Sequence, residues 1–168
     1  MRRSQIATLV GLIGFSAALG GCGDSGPASS GGSAADTRGV IASAADCVSF
    51  GPDAVQACAT AIETAVAKHE ASSEAYSNLQ ACESAIGESK CERAASGKYR
   101  ARLSAFAVTV GPSARAEPLY PTKDGAIGFQ TASKTTLLAS DQSLAFSRLA
   151  LSVAEAQAGQ GKKGRRKL

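Results

Sequence analysis

The chain has 168 residues, enough for one domain of ordinary size and hardly two. Alanine leads its apolar content with 34 positions, while Leu, Ile, Val and Phe together number 31, seven of them in the first 19 residues, and Trp is absent. Residues 22–168 keep 24 large apolar side chains, about 16%, which falls short of the roughly 20% at which burial offsets conformational entropy and argues against a large packed enzyme core. A single long apolar run excludes a multi-span membrane protein, and the net charge of +4 is unevenly placed, with five basic residues among the last seven.

Met1-Arg2-Arg3 is a short basic start, and Ile6 to Leu19 is an apolar stretch of 14 residues. That run is too short to span a bilayer, which takes about 20 residues, but it suits the apolar region of an export signal. It ends in Leu19-Gly20-Gly21-Cys22. Small residues let a chain enter a peptidase cleft extended, and the cysteine that follows supplies a thiol for acylation. The arrangement resembles the lipobox of bacterial lipoproteins. The resemblance implies a cut between Gly21 and Cys22, a diacylglyceryl thioether on Cys22 and acylation of the new amino group. Two or more acyl chains hold a protein stably at a membrane, at about 0.8 kcal/mol per buried CH₂. Gly23 rather than Asp follows the cysteine. In a Gram-negative host this favours the periplasmic face of the outer membrane. Gly23 to Ala35, GDSGPASSGGSAA, has no helical or strand period and reads as a flexible tether.

Four cysteines remain: Cys47, Cys58, Cys82 and Cys91. An even number in an exported chain reads as a disulfide framework. The stretch from Ile41 through Cys47 to Gly51 parallels that from Tyr76 through Cys82 to Gly87, each followed by a second cysteine. In each, an apolar residue precedes the cysteine by six positions, a short helical stretch follows, and a glycine stops it. Ser77 with Gln80 has the pattern of a capping box, and Gly87 fits a left-handed helix stop. Two copies of one unit favour local pairing, Cys47–Cys58 and Cys82–Cys91. The alternative, Cys47–Cys91 with Cys58–Cys82, is that of a stapled helical hairpin. Either contributes roughly 2–4 kcal/mol per bridge, comparable to what so thin a core lacks. Zinc ligands come in pairs spaced C-x2-4-C, and gaps of ten and eight residues do not fit.

Between the units, Pro52 and Asp53 open a helix that runs to Glu74. Val55, Cys58, Ile62 and Val66, flanked by Ala59 and Ala65, form its apolar stripe. His69, the sole histidine, reads as an exposed helix residue, and Glu83, Glu88 and Glu92 as solvated helix-surface charges. Leu103 to Val110 reads as a strand ending at Gly111-Pro112, and Pro112 to Glu117 as a linker. Leu119 to Thr131 reads as a hairpin around Asp124-Gly125, with a short strand over Lys134 to Leu138. Ser140 to Ala158 is a marginal helix with Leu144, Leu149 and Val153 near helical spacing.

The order of lipobox, Ala-Asp-Cys47, Cys58, helix, Tyr76 to Cys82, Cys91, Pro118-Leu-Tyr120 and Asp124-Gly125 resembles the YgiB-like bacterial proteins, a family of unknown function. The resemblance covers about residues 40–137 and the anchor.

The tail carries Lys162, Lys163, Arg165, Arg166 and Lys167. Without it and the export signal, the body has 11 Lys/Arg against 14 Asp/Glu, so a basic tail hangs on a mildly acidic body. Such a tail suits anionic lipid headgroups, lipopolysaccharide or another polyanion; nucleic acid is not an expected partner of an exported protein. The sequence contains no Ser/His/Asp set with recognisable context, no phosphate loop before a helix and no metal-ligand spacing, so no enzyme, cofactor or metal is expected.

The expected fold is small α+β: a mainly helical, disulfide-stapled domain with a minor C-terminal β-hairpin and disordered ends. The expected segments are a signal peptide over residues 1–21, lipid anchor and tether over 22–38, the disulfide-containing domain over 39–137, and a marginal helix with basic tail over 138–168. The expected role is a membrane-anchored cell-envelope lipoprotein, a structural or interaction module with an envelope protein partner. The alternative is an accessory binder of peptidoglycan, lipopolysaccharide or anionic lipid through the tail.

Overall fold

The structure, a computed structural model, describes residues 36–164, with side chains through Gln160. Its centre is a six-stranded sheet of order β7-β6-β5-β4-β1-β8. The strands are β1 (Thr37–Ile41), β4 (Ala105–Val110), β5 (Arg115–Pro121), β6 (Gly128–Gln130), β7 (Thr136–Leu138) and β8 (Ala145–Phe146). Neighbours run antiparallel except β1 and β8, which are parallel. A second sheet pairs β2 (Cys91–Arg93) with β3 (Tyr99–Ala101). Three α-helices accompany them: α1 (Val55–Ser72), α2 (Leu79–Ile86) and α3 (Arg148–Gly164).

This architecture overturns the expectation of a mainly helical domain with a minor hairpin. The Asp124-Gly125 connection does join a hairpin, β5 to β6, with Tyr120 opposite Gln130 and Pro121 opposite Phe129. That hairpin and the strands expected at β4 and β7 are, however, only part of a sheet that also takes in β1, β8 and the start of β5. Thr37 and Arg38, assigned to the tether, belong to β1, and Arg115 to Glu117, assigned to a linker, belong to β5. Prolines argue against a central strand because they lack an N–H. In β5 they are tolerated because Pro118 lies where only β4 pairs with the strand, and Pro121 is its last residue. The stretch around Cys47 is 3-10 helix, Ala44–Phe50, rather than α-helix.

The sheet is covered on both faces. On one, α1 and the 3-10 segment pack Cys47, Cys58, Ile62 and Ala65 onto Ile41, Phe106, Val108 and Val110. On the other, Ala150 and Ala154 of α3 meet Val40, Ala105, Leu119 and Phe129. Alternate residues of β1 and β4 thus serve opposite cores, as the two-residue strand period requires. The buried row of α3 is Ala150, Ala154 and Ala158, whereas Leu149 and Leu151 are exposed. A chain with few large apolar residues brings this helix onto the sheet with methyl groups.

A third, smaller core holds Cys82, Ile86 and Cys91, with Tyr76, Tyr99 and Ala101 against it. Both helical stretches before the second cysteines stop at a glycine of positive φ, Gly51 (φ 94°, ψ 156°) and Gly87 (φ 124°, ψ 153°). This extended, glycine-specific conformation is not the left-handed helical stop expected. The cap of α2 is Asn78, whose side chain accepts from the Ala81 N–H at 2.8 Å, one residue after the expected Ser77.

Candidate functional site

The cysteines pair locally, Cys47 with Cys58 and Cys82 with Cys91. The first bridge ties the 3-10 segment to α1, and the second ties α2 to β2. Three of the four residues have no exposed surface and Cys91 is 6% exposed. Cys22, Arg165, Arg166 and Lys167 lie outside the described residues, and Lys162 and Lys163 have described backbone only, at the end of α3. Among the described residues, no group of His, Cys, Asp and Glu is arranged to hold a metal ion, and no helix is long and apolar enough to cross a membrane.

The chemistry collects elsewhere, at the C-terminal end of α1. His69 is 1% exposed, contrary to the expectation of an exposed helix residue. Its position explains the burial: Cys58, Ile62, Ala65 and His69 continue one helical stripe, and only Val66 turns outward. A buried imidazole needs hydrogen-bond partners for both nitrogens. Nε2 lies 3.1 Å from Glu92 Oε1 on β2; Nδ1 lies 2.7 Å from Ser73 Oγ and 3.1 Å from the Tyr120 hydroxyl on β5. The Ser73 hydroxyl also donates to the His69 carbonyl at 2.6 Å.

Glu92 is not a solvated helix charge. Its Oε1 accepts from Arg100 Nε at 2.9 Å, and its Oε2 accepts from the Leu103 N–H at 3.3 Å. Arg100 Nη1 donates to Glu70 at 2.8 Å, and Nη2 donates to the other Glu70 oxygen. Arg100 is itself buried. Its hydrogen bond to Glu70 is the largest of the effects that hold the guanidinium above its ordinary range, and the same bond holds the Glu70 carboxyl below its usual value. Burial pushes the Tyr120 hydroxyl up, so it stays protonated.

These contacts settle the histidine tautomer through the hydrogen-bond network. A carboxylate that accepts from a guanidinium has no proton to donate, so His69 Nε2 must carry the hydrogen between itself and Glu92. In neutral His69 the lone pair therefore sits on Nδ1 and faces two hydroxyls, Ser73 and Tyr120.

Those hydroxyls open onto a cavity of about 240 Å³. Tyr76, Ile86 and Pro118 give it apolar wall, and Lys68 and Lys134 are balanced in charge by Glu74 and Glu117. Beside it, Lys90 joins the small lobe to the main sheet. Its Nζ donates to the Thr122 carbonyl and, at 3.0 Å, to that of Lys123. Burial pushes its ammonium down.

Sequence reasoning missed this centre because His69, Ser73, Glu92, Arg100 and Tyr120 come from α1 and its end, β2, β3 and β5. Only the His69–Ser73 spacing and the stripe that continues to His69 were local signals.

No curated protein matches the chain, and no solved structure matches it. The family model described as protein of unknown function, DUF1190, matches residues 35–158. That span reaches into α3, beyond the stretch on which the YgiB-like resemblance rests, and covers well over half of the sequence. The chain therefore belongs to the DUF1190 family of proteins of unknown function.

Proposed function

We propose that this protein is a membrane-anchored cell-envelope lipoprotein, exported and held by acylated Cys22, whose folded domain serves as a structural or interaction module for another envelope component. The carrying observation is the pair of disulfides packed into two separate cores, with Cys47, Cys58 and Cys82 fully buried. Such bridges belong to an oxidising compartment. The order of basic start, apolar run and Leu19-Gly20-Gly21-Cys22 supports the anchor.

Intact-mass analysis of native protein tests this reading. The expected product begins at Cys22, carries acyl chains and has no free thiol, and Cys22→Ser leaves the chain unprocessed. A soluble protein that still begins at Met1 with five free thiols overturns it.

Charge segregation favours a second reading, in which the tail binds an envelope polyanion. Deleting residues 162–168 is then expected to abolish salt-sensitive binding to lipopolysaccharide or anionic vesicles. Unchanged, salt-insensitive binding removes that reading and leaves the anchored module intact.

A further inference from the structure

We propose that Ser73 is the nucleophile of a small serine-hydrolase centre, with His69 as its general base and a small carboxylic ester as the substrate class. This goes beyond the interaction-module reading, which stands whether or not the serine reacts.

Three geometric requirements of such a centre are met. The Ser73 hydroxyl oxygen is 2.7 Å from His69 Nδ1, within reach for proton transfer. The other ring nitrogen is 3.1 Å from a carboxylate, Glu92, which Arg100 holds in place. Ser73 lines a cavity where a reacting carbonyl can sit. Relative to the usual serine triads the two ring nitrogens exchange roles. The chemistry tolerates this exchange, because it needs only one basic nitrogen facing the hydroxyl and the other held as N–H by an acid. Glu92 and Arg100 are positioning residues.

The resting hydroxyl proton has two acceptors, Nδ1 and the His69 carbonyl at 2.6 Å. Only Nδ1 is basic enough to remove it. As Ser73 Oγ bonds to the ester carbonyl carbon, its proton passes to Nδ1. The Tyr120 hydroxyl, 3.1 Å from that nitrogen, then loses its acceptor and is free to donate to the developing oxyanion. The carbon–oxygen bond to the alcohol breaks, and the proton on Nδ1 leaves with the alkoxide. Water attacks the acyl-serine, gives its proton to Nδ1, and the proton returns to Ser73 as the carboxylic acid departs. Water is the sole co-reactant. The cavity of about 240 Å³ is below the size of ordinary ligand pockets, which restricts the acyl group to a few carbons against Tyr76, Ile86 and Pro118.

A fluorophosphonate probe tests the assignment on the full chain with its disulfides oxidised. The expected result is one adduct by intact mass: a new Oγ–P bond on Ser73, fluoride released, and the serine proton taken by His69. It disappears in Ser73→Ala and persists in Ser49→Ala. Hydrolysis of p-nitrophenyl acetate is expected to fall about 100-fold or more in Ser73→Ala. Because a His69 variant can fail to fold, Glu92→Gln is the second probe. It should lower the rate about tenfold and alter its pH profile, which a purely structural role would leave unmoved. Absence of a Ser73 adduct in folded, oxidised protein overturns the proposal, as does labelling that Glu92→Gln and pH leave unchanged.

Discussion

The two cysteine units look alike in sequence and sit in very different surroundings. Cys47–Cys58 lies in a core that also contains Ile41, Ile62, Phe106, Val108 and Val110, spread over two strands, a 3-10 segment and a helix. Cys82–Cys91 shares its core with one further buried residue, Ile86, and with two half-buried tyrosines. The small lobe is fixed to the rest of the domain by polar ties, the Glu92–His69 and Arg100–Glu70 contacts with α1 and the Lys90 ammonium on the β5–β6 connection. Equal covalent staples thus have unequal work: one reinforces packing that many side chains share, and the other stands in for packing.

The sharpest way to break this contrast is to empty the larger core. Phe106→Ala is expected to cost about 3–5 kcal/mol and to lower the urea midpoint of the whole domain in one transition. A loss under 1 kcal/mol would show that the bridge, not the packing, carries that half.

Removing the second bridge comes next. The double change Cys82→Ser with Cys91→Ser should cost about 2–4 kcal/mol. Amide exchange should rise first over residues 79–101 while β4 and β5 stay protected. Uniform loss of protection would mean the lobe is not a separate unit of stability.

Lys90→Met keeps the aliphatic stem that lies over Gly87 and removes the ammonium. Two carbonyls lose their donor, at about 1–3 kcal/mol. The test is denaturation at neutral pH, and an unchanged midpoint would refute the tie.

The smallest effect is pH-dependent. The folded Glu70 carboxyl is held below its ordinary value of 4.5 by Arg100. Its contribution is present above that value and disappears as pH falls through the lowered folded one. Glu70→Gln should therefore lower stability slightly at pH 7, only slightly because the Glu70 side chain is half exposed, and flatten the acid limb below pH 4.5 by the same amount. An acid limb identical to the parent's would remove Glu70 from the account.

What the sequence disclosed followed from signal length. The 18 residues of α1 repeat their stripe several times, and the β-branched run of β4 and the Asp-Gly connection are equally local. The cysteine spacings fitted the short bridges that formed. The remaining strands were hidden because β2 and β3 have three residues each and β8 two, too few to show alternation, because β1 starts in a stretch that reads as tether, and because Pro118 breaks the pattern of β5. For α3, searching for leucines misled, because its buried row is alanine, which composition does not distinguish from surface alanine. The polar centre was hidden for another reason. Glu92 and Arg100 lie on facing strands, and Tyr120 is 51 residues from the histidine it meets.

The position of β1 has a mechanical consequence. The first strand of the described chain is interior to the sheet, joined to β4 along five residue pairs and to β8 along two. A load applied at its Thr37 end would run along the strand and strain both ladders in shear, so their hydrogen bonds would have to give way together rather than peel one at a time. The domain is thus built to resist tension applied at the start of its first described strand.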